Sequence, residues 1–477
     1  MRSEYLRGPY APVTEEHDVE APVVAGELPA QLRGMFVRNG PNPRHPPVGR
    51  YHWFDGDGMV HGVALSDAGA RYVNRYVHTA AFDEEARAGA PLWRGLMEPF
   101  DPASSRAPDK DTANTDLVWW GGRLLASWYL GGTPLRLRTP DLHTEGPETL
   151  GGALTTGMGA HAKVDPRTGQ LVFYDFSLLE PPYLHVGIAD AEGRLERLFP
   201  VELPGPRFFH DLAITERHVV LLDLPMLWDT ERLRQGKRRI RFDPSVPARI
   251  GVLPRDATHD ATHDATHDAT HDTMRWFEVP ACYVYHTINA YEDGTEIVLH
   301  ACRVDDPMPK SREPTPATRA RLEFLELHPV LWEWRLDLAT GQARERQLDD
   351  VASEFPRIDD GRLGVRVRHS YNPRVANEPT LLFDGIIKYD LESGAGRVHA
   401  FGPDRFGDEP VFVPRPGGEG DDDGWLVTFV HDRREARSEL WVLDARTIEA
   451  EPLARVRLPQ RVPIGFHAAW VPREGLG

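Results

Sequence analysis

Four histidines in this sequence open segments of one design. His161 begins His-Ala-Lys-Val-Asp-Pro-Arg-Thr-Gly ahead of the apolar run Leu171 to Phe176, and His467 begins His-Ala-Ala-Trp-Val-Pro-Arg-Glu-Gly, close to a copy of it. His210 begins His-Asp-Leu-Ala-Ile-Thr-Glu-Arg ahead of Val219 to Leu222, and His286 begins His-Thr-Ile-Asn-Ala-Tyr-Glu-Asp-Gly ahead of Glu296 to Leu299. In each, a histidine starts a short strand that runs into a turn. Equivalent strand starts in a closed all-β ring carry four imidazoles to one axis, where they can hold a metal. Imidazole suits Zn, Cu, Fe and Ni, whereas Ca and Mg demand oxygen ligands. Four neutral rings leave the ion its full charge and, on an octahedral metal, two open positions where O2 can bind beside a substrate. A ligating ring also needs its second N–H held, usually by a carboxylate. Glu354 (in Ser-Glu-Phe-Pro-Arg) and Glu409 (in Asp-Glu-Pro-Val-Phe-Val-Pro) stand in apolar, proline-flanked contexts where a solvated glutamate is not expected. One such histidine alone would be an ordinary core or surface residue; the fourfold recurrence argues for a shared centre.

The elements that must position these residues are strands. Short β-rich runs dominate the chain, at Leu171 to Phe176, His218 to Leu224, Glu296 to Val304, Trp425 to Val430 and Leu440 to Leu443, each bounded by Gly, Pro, Asp or Asn. Four runs end in an Asp followed by a tight turn: Asp165-Pro-Arg-Thr-Gly, Asp337-Leu-Ala-Thr-Gly, Asp390-Leu-Glu-Ser-Gly and Asp444-Ala-Arg-Thr. Asp can accept from backbone amides two residues on and Gly supplies a positive φ, so each reads as a hairpin turn. A hairpin recurring along an all-β chain favours a propeller whose blades carry insertions. The segments best suited to helix are Asp229 to Arg239 and Thr315 to Leu327, read as excursions from the propeller. The polar, proline-punctuated residues 1–25 read as a flexible arm, and residues 26–477 as a single domain.

The chain has 477 residues, 55 Lys+Arg against 73 Asp+Glu and a net charge of −18, which argues against a global attraction to nucleic acid. With only Cys282 and Cys302 it is no disulfide scaffold and fits a reducing cytoplasm. No apolar run approaches the ~18 residues of a membrane span, and Met1 to Glu20 lack the apolar stretch of a signal peptide. The stretch Asp256 to Asp272 spells DATHDATHDATHDATHD. On a helix its histidines would line one face and chelate a metal; without aliphatic anchors it reads instead as a disordered low-complexity insertion.

Together the segments resemble the carotenoid cleavage oxygenases, non-haem Fe(II) enzymes that cleave alkenes. The resemblance runs through Gly26-Glu-Leu-Pro, Phe36-Val-Arg-Asn-Gly-Pro-Asn-Pro, Trp53-Phe-Asp-Gly-Asp-Gly-Met-Val-His61, Gly159-Ala-His161, Phe209-His210-Asp, Tyr285-His286-Thr-Ile-Asn-Ala-Tyr-Glu, Glu354-Phe-Pro-Arg, Glu409-Pro-Val-Phe-Val-Pro and Gly465-Phe-His467. It implies a seven-bladed propeller with a dome of loops and short helices over its top face. It further implies Fe(II) on His161, His210, His286 and His467, with Glu354 and Glu409 as outer-sphere partners. Thr115 matches a position that in some relatives sits over a vacant iron site, and His52 and His61 match structural positions. The family's third outer-sphere Glu is missing: Arg123-Leu-Leu-Ala-Ser-Trp-Tyr-Leu supplies Tyr129 or Leu130 in its place. Stilbene-cleaving relatives carry a Lys-Glu pair there, so a phenolic stilbene is not the expected substrate.

The expected activity is oxidative cleavage of a conjugated C=C bond of a carotenoid or apocarotenoid to two carbonyl products, with O2 as co-substrate. Cleavage of a smaller aryl alkene and a non-catalytic propeller with a degenerate iron site are the alternatives. The partner is an apolar polyene lying in a tunnel, in a cytoplasmic protein. Leu224-Pro-Met-Leu-Trp228 beside the basic run Arg232 to Arg241 suits peripheral contact with an anionic membrane, the alternative being a solvated helix over the dome. Oligomeric state is not legible.

Overall fold

The computed structural model describes residues 3–256, 274–308, 320–322 and 325–476. Among them the chain is built from antiparallel strands, with two α-helices, Ala80–Ala88 and Thr230–Arg234, and a few 3-10 turns. Four four-stranded sheets take their strands in chain order, beginning at Asp116–Trp120, Lys163–Val164, Leu212–Ile214 and Tyr283–Asp293. A five-stranded sheet joins the chain ends, pairing Gly34–Pro41 with Ala468–Pro472. A nine-stranded sheet contains two successive meanders, one starting at His369–Val375 and one at Val411–Pro414, joined through the short strand Arg405–Gly407. Two small hairpins complete the set.

The repeated turn forms as the sequence implies. Asp165, Asp337, Asp390 and Asp444 each accept a backbone N–H two residues on, and the first three close with a bond from the following Gly. The expected strands appear as well, at Leu171–Phe176, His218–Asp223, Glu296–Val304, Gly424–Asp432 and Arg437–Asp444. The strand opening each sheet lies at its edge, beside the opening strand of the next. Ala468–Pro472 neighbours Asp116–Trp120, then follow Lys163–Val164, Leu212–Ile214 and Tyr283–Asp293, while Val411–Pro414 returns to Ala468–Pro472. This arrangement brings the starts of distant segments to one centre.

Three expectations are corrected. The helix over Asp229 to Arg239 spans only Thr230–Arg234, with the Asp229 side chain capping the Arg232 N–H; the rest is an irregular loop. The described part of Thr315 to Leu327 is a hairpin, Ala320–Leu322 with Leu325–Leu327, not a helix. The flexible arm is instead built into the fold. Asp18–Ala21 pairs with Ala70–Val73, Val23–Gly26 pairs with Ala454–Val456, and Tyr5 and Tyr10 are each 4% exposed. The repeat after Asp256 lies outside the described residues. Helix Ala80–Ala88 was not foreseen; Thr79 caps its start and Gly89, at φ 67°, ends it. Among the described residues no helix is long and apolar enough to cross a membrane.

Candidate metal centre

Each histidine is delivered by the start of an edge strand. His161 precedes Lys163–Val164, His210 precedes Leu212–Ile214 and His467 precedes Ala468–Pro472. His286 lies within Tyr283–Asp293, at a break in the pairing register between Val284 and Thr287, a bulge that re-aims its side chain. The rings converge. Five of their pairs have centroids 4.5–5.2 Å apart, from His161 with His467 to His210 with His286. All four residues are at most 8% exposed. Nitrogens of His161, His210 and His286 lie within 4.8 Å of one another, as do ligand atoms of Asp116, His161 and His467.

Three of the four rings are held from behind by buried carboxylates. The Glu354 Oε2 lies 2.5 Å from His286 Nδ1, Glu409 Oε1 3.1 Å from His467 Nδ1, and Asp116 Oδ2 3.1 Å from His161 Nδ1. Glu354 and Glu409 are the pair that the sequence reading nominated; Asp116 it missed. Each acid is itself fixed by a backbone donor: Phe355 N–H to Glu354, Ala468 N–H to Glu409, and His161 N–H to Asp116. His210 alone has no such partner, and its Nδ1 is buried without a hydrogen bond among the described residues. Its strand lies between two others that carry histidines. Phe208 stacks on the His210 ring at 6.0 Å, Tyr285 meets it edge-on at 5.4 Å, and the Tyr174 hydroxyl donates to its carbonyl.

The donor set suits a metal ion. With their Nδ1 atoms engaged, His161 and His286 keep Nε2 atoms that are buried and have no partner among the described residues. Two polar nitrogens left orphaned in a core are costly unless a cation takes them. Burial holds His161, His210 and His467 below the ordinary imidazole range, keeping their lone pairs free. Burial also acts on His286, but Glu354 outweighs it and raises that ring's basicity. Burial opposes charge on Asp116, yet its bond to His161 keeps the carboxyl below the usual range, whereas burial pushes Glu409 up to about 8 despite Arg357 at 3.7 Å. Backbone strain gathers here too: His161, Phe355 and Ala113 are non-glycine residues at φ 65°, 52° and 43°.

On one side the histidines face a small chamber of about 40 Å³ walled by Trp53, Phe54, Phe355, Leu381 and Phe466, with Thr115 and Tyr129 at its edge. The Thr115 hydroxyl donates to Asn114 Oδ1 and accepts from Tyr129 N–H. Tyr129 stands where the resemblance would place the third glutamate, and its ring packs on Phe54 at 4.8 Å. The chamber shares Phe54, Tyr129 and Tyr285 with a larger cavity of about 540 Å³. A further cavity of about 540 Å³, lined among others by Lys163, Asp211, Arg357, Ile288, Ile358 and Trp470, also touches His161, His286 and His467. His52 and His61 do not join the cluster: His52 Nδ1 caps the Phe54 N–H and His61 Nδ1 bonds the Tyr72 hydroxyl at 2.7 Å.

The family model described as retinal pigment epithelial membrane protein (RPE65) matches residues 10–472. The chain is 36% identical over 508 residues to carotenoid 9,10(9',10')-cleavage dioxygenase 1 of Arabidopsis thaliana, covering 99% of this chain and 90% of that protein. It is 32% identical over 523 residues to a carotenoid cleavage oxygenase of Mycobacterium tuberculosis, covering 99% and 98%. Among solved structures it resembles lignostilbene dioxygenase of Pseudomonas brassicacearum, with a TM-score of 0.87 at 27% identity over 98% of both chains. It resembles cobalt-substituted apocarotenoid oxygenase of Synechocystis with a TM-score of 0.83 at 29% identity over 97% of both. A match along nearly the whole chain, joined to four converging imidazoles, makes this protein a member of the RPE65 family of carotenoid cleavage oxygenases.

Proposed function

We propose that the chain is an Fe(II)-dependent dioxygenase that cleaves a conjugated C=C bond of a carotenoid or apocarotenoid to two carbonyl products. His161, His210, His286 and His467 hold the iron, and Asp116, Glu354 and Glu409 orient three of those rings and raise their donor strength. Bound iron supplies the O2 activation and electron transfer that no side chain in the site can provide. The protein's own part is placement and exclusion. The aromatic walls of the chamber take an apolar polyene and keep water from the histidines, and Thr115, its hydroxyl engaged by Asn114 and Tyr129, bounds the space beside them without offering a proton. The observation that carries this reading is four buried imidazoles around a common point beside an almost wholly apolar chamber.

The sheet order supports seven blades. The five-stranded sheet and the four regular sheets supply five, and the two meanders of the nine-stranded sheet supply two. Residues 45–55, 91–110 and 225–242 would form the dome, since they line the cavities over the chamber. Likeness to a lignostilbene-cleaving structure favours a second reading, an aryl alkene. No lysine or glutamate at positions 129–130 is there to meet a phenol, and the polyene reading is preferred. Anaerobic loading with Fe(II), followed by mass spectrometry of products from carotenoids, apocarotenals and stilbenes, tests this. Iron-dependent aldehydes from the polyenes are expected; iron uptake without cleavage of any polyene would overturn the reading.

A further inference from the structure

The larger cavity combines apolar walls with charged side chains. Phe208, Trp228, Ile240, Met308 and Leu325 line it together with Arg50, Glu98, Lys237, Arg238 and Arg239, of which Arg50, Lys237 and Arg239 are exposed to solvent. Two of these cations are neutralised: Arg50 pairs with Glu98 at 2.9 Å and Arg238 with Asp109 at 2.5 Å. Among the described residues neither Lys237 nor Arg239 has a carboxylate partner. In a chain of net charge −18, two exposed cations without a carboxylate partner thus lie together at one apolar cavity. They are also held in place. Asp229 N–H bonds Arg239 O, Phe100 N–H bonds Gly236 O, and Arg238 between the two cations reaches the carbonyls of Glu98 and Pro108. Low-dielectric walls focus the field of such charges.

We propose, building on the polyene reading above, that this cavity takes a conjugated hydrocarbon ending in a carboxylate. The carboxylate sits at Lys237 and Arg239, and the chain runs inward past Trp228 and Phe208 to the chamber beside the histidines. A polyene with two hydrocarbon ends gains nothing from these cations; one with an anionic end is both attracted and set in register, which fixes the double bond that reaches the centre. An anionic bilayer is the other anion these cations could meet. Surface binding requires exposed apolar anchors next to the charges. Here Leu224 and Met226 are buried, Trp228 and Ile240 line the cavity, and Leu227 and Phe242 are half-buried. None of the exposed large apolar side chains among the described residues falls within 224–243.

Binding is read by quenching of tryptophan fluorescence, to which Trp228 in the cavity wall contributes, as the loss of that part of the signal in Trp228→Phe checks. Titration with all-trans-retinoic acid and with its methyl ester, at low ionic strength and without regard to catalysis, should show the acid bound about five- to tenfold more tightly. Raising NaCl from 20 to 500 mM should bring the ratio close to one. The double substitution Lys237→Gln, Arg239→Gln should do the same while leaving ester affinity unchanged, which also shows that the variant is folded. Equal affinity for acid and ester in the native protein, or a ratio indifferent to salt, would overturn the proposal. So would charge-dependent sedimentation with vesicles containing 30% phosphatidylglycerol, lost in the double variant, alongside an acid-to-ester ratio near one. A protein that prefers the acid yet cleaves no polyene when iron-loaded would keep this inference and discard the dioxygenase reading; one that cleaves polyenes without preferring the acid would do the reverse.

Discussion

At the scale of single residues, the centre divides its strand starts between two kinds of side chain. Four carry histidines, Asp116 opens another and Glu409 precedes a further one, while Glu354 lies between the isolated bridges of Ser353 and Arg357, and each carboxylate serves one histidine. Asp116 is the informative member because it has no counterpart in the sequence reading. Its Asn-Thr-Asp context is an ordinary polar run, and its partner His161 is 45 residues away. Glu354 and Glu409 were legible because prolines and apolar neighbours made them conspicuous. The one signal that could have found Asp116 is its place, an acid immediately opening an apolar run, as the histidines open theirs. Replacing Asp116 with Asn keeps the size but removes the charge behind His161. Fe(II) affinity, read anaerobically by competition with a chromophoric chelator, should fall about 10–100-fold, and Glu409→Gln should fall by a similar factor. His210→Ala removes a ligand and should abolish iron retention through gel filtration. An Asp116→Asn protein with native affinity would remove Asp116 from the centre.

Elements were legible where a local pattern decides them and opaque where a distant partner does. The Asp turns carry their own hydrogen bonds within five residues, so the sequence alone specifies them. The stretch Arg321-Leu322 with Leu325-Glu326-Leu327 has charges and leucines that suit a helix, and only pairing across Leu322 and Leu325 makes it a hairpin. One link between sheets can be tested by pH. Glu292, near the end of Tyr283–Asp293, accepts from Thr215 Oγ1 at 2.6 Å, His218 Nδ1 at 2.9 Å and Arg217 N–H at 3.1 Å. These donors belong to the turn of the hairpin that follows His210. Burial pushes the Glu292 carboxyl up, but the His218, Thr215 and Arg217 bonds prevail and hold it at about 2 against an ordinary 4.5. A depressed folded-state value means that the stabilisation is complete above pH 4.5 and fades as pH falls towards 2. Glu292→Gln should therefore cost ~1–3 kcal/mol at pH 7 in urea unfolding, and the gap to the native protein should narrow below pH 4.5. A gap that widens in acid would assign the bonds the wrong sign. Excision of residues 257–272 should leave iron content unchanged, because the flanking strands are already paired at Val252 and Arg275 and a short turn can join them.

At the scale of the whole molecule, the ring is closed by its two ends, and no local pattern in the first 25 residues announces this. Their polarity and prolines look like a loose arm; their partners range from Ala70–Val73 to Ala454–Val456 and Ile464, far outside any local window. Ile464 N–H donates to Pro9 O at 3.1 Å, Arg461 reaches the same carbonyl, and the Tyr10 hydroxyl donates to Leu381 O. Tyr5 stacks on Trp53 at 5.3 Å, Tyr10 meets Trp53 edge-on at 5.4 Å, and Trp53 packs on Phe466 at 4.5 Å. Phe466 adjoins His467, so a continuous run of aromatic contacts connects the start of the chain to the His467 imidazole near its end. The arm thus acts as a wedge that keeps the closing strand, and the imidazole it carries, against the centre. Tyr10→Ala should destabilise the protein by ~3–5 kcal/mol, as loss of a buried aromatic side chain does, whereas Tyr10→Phe should cost only ~1 kcal/mol for the hydroxyl. Removing residues 1–12 should lower iron retained through gel filtration although all four histidines remain, because His467 loses the packing behind it. If that truncated protein is folded by circular dichroism and holds a full complement of iron, the wedge is not needed and the Gly34–Pro41 pairing with Ala468–Pro472 is sufficient to fix His467 on its own.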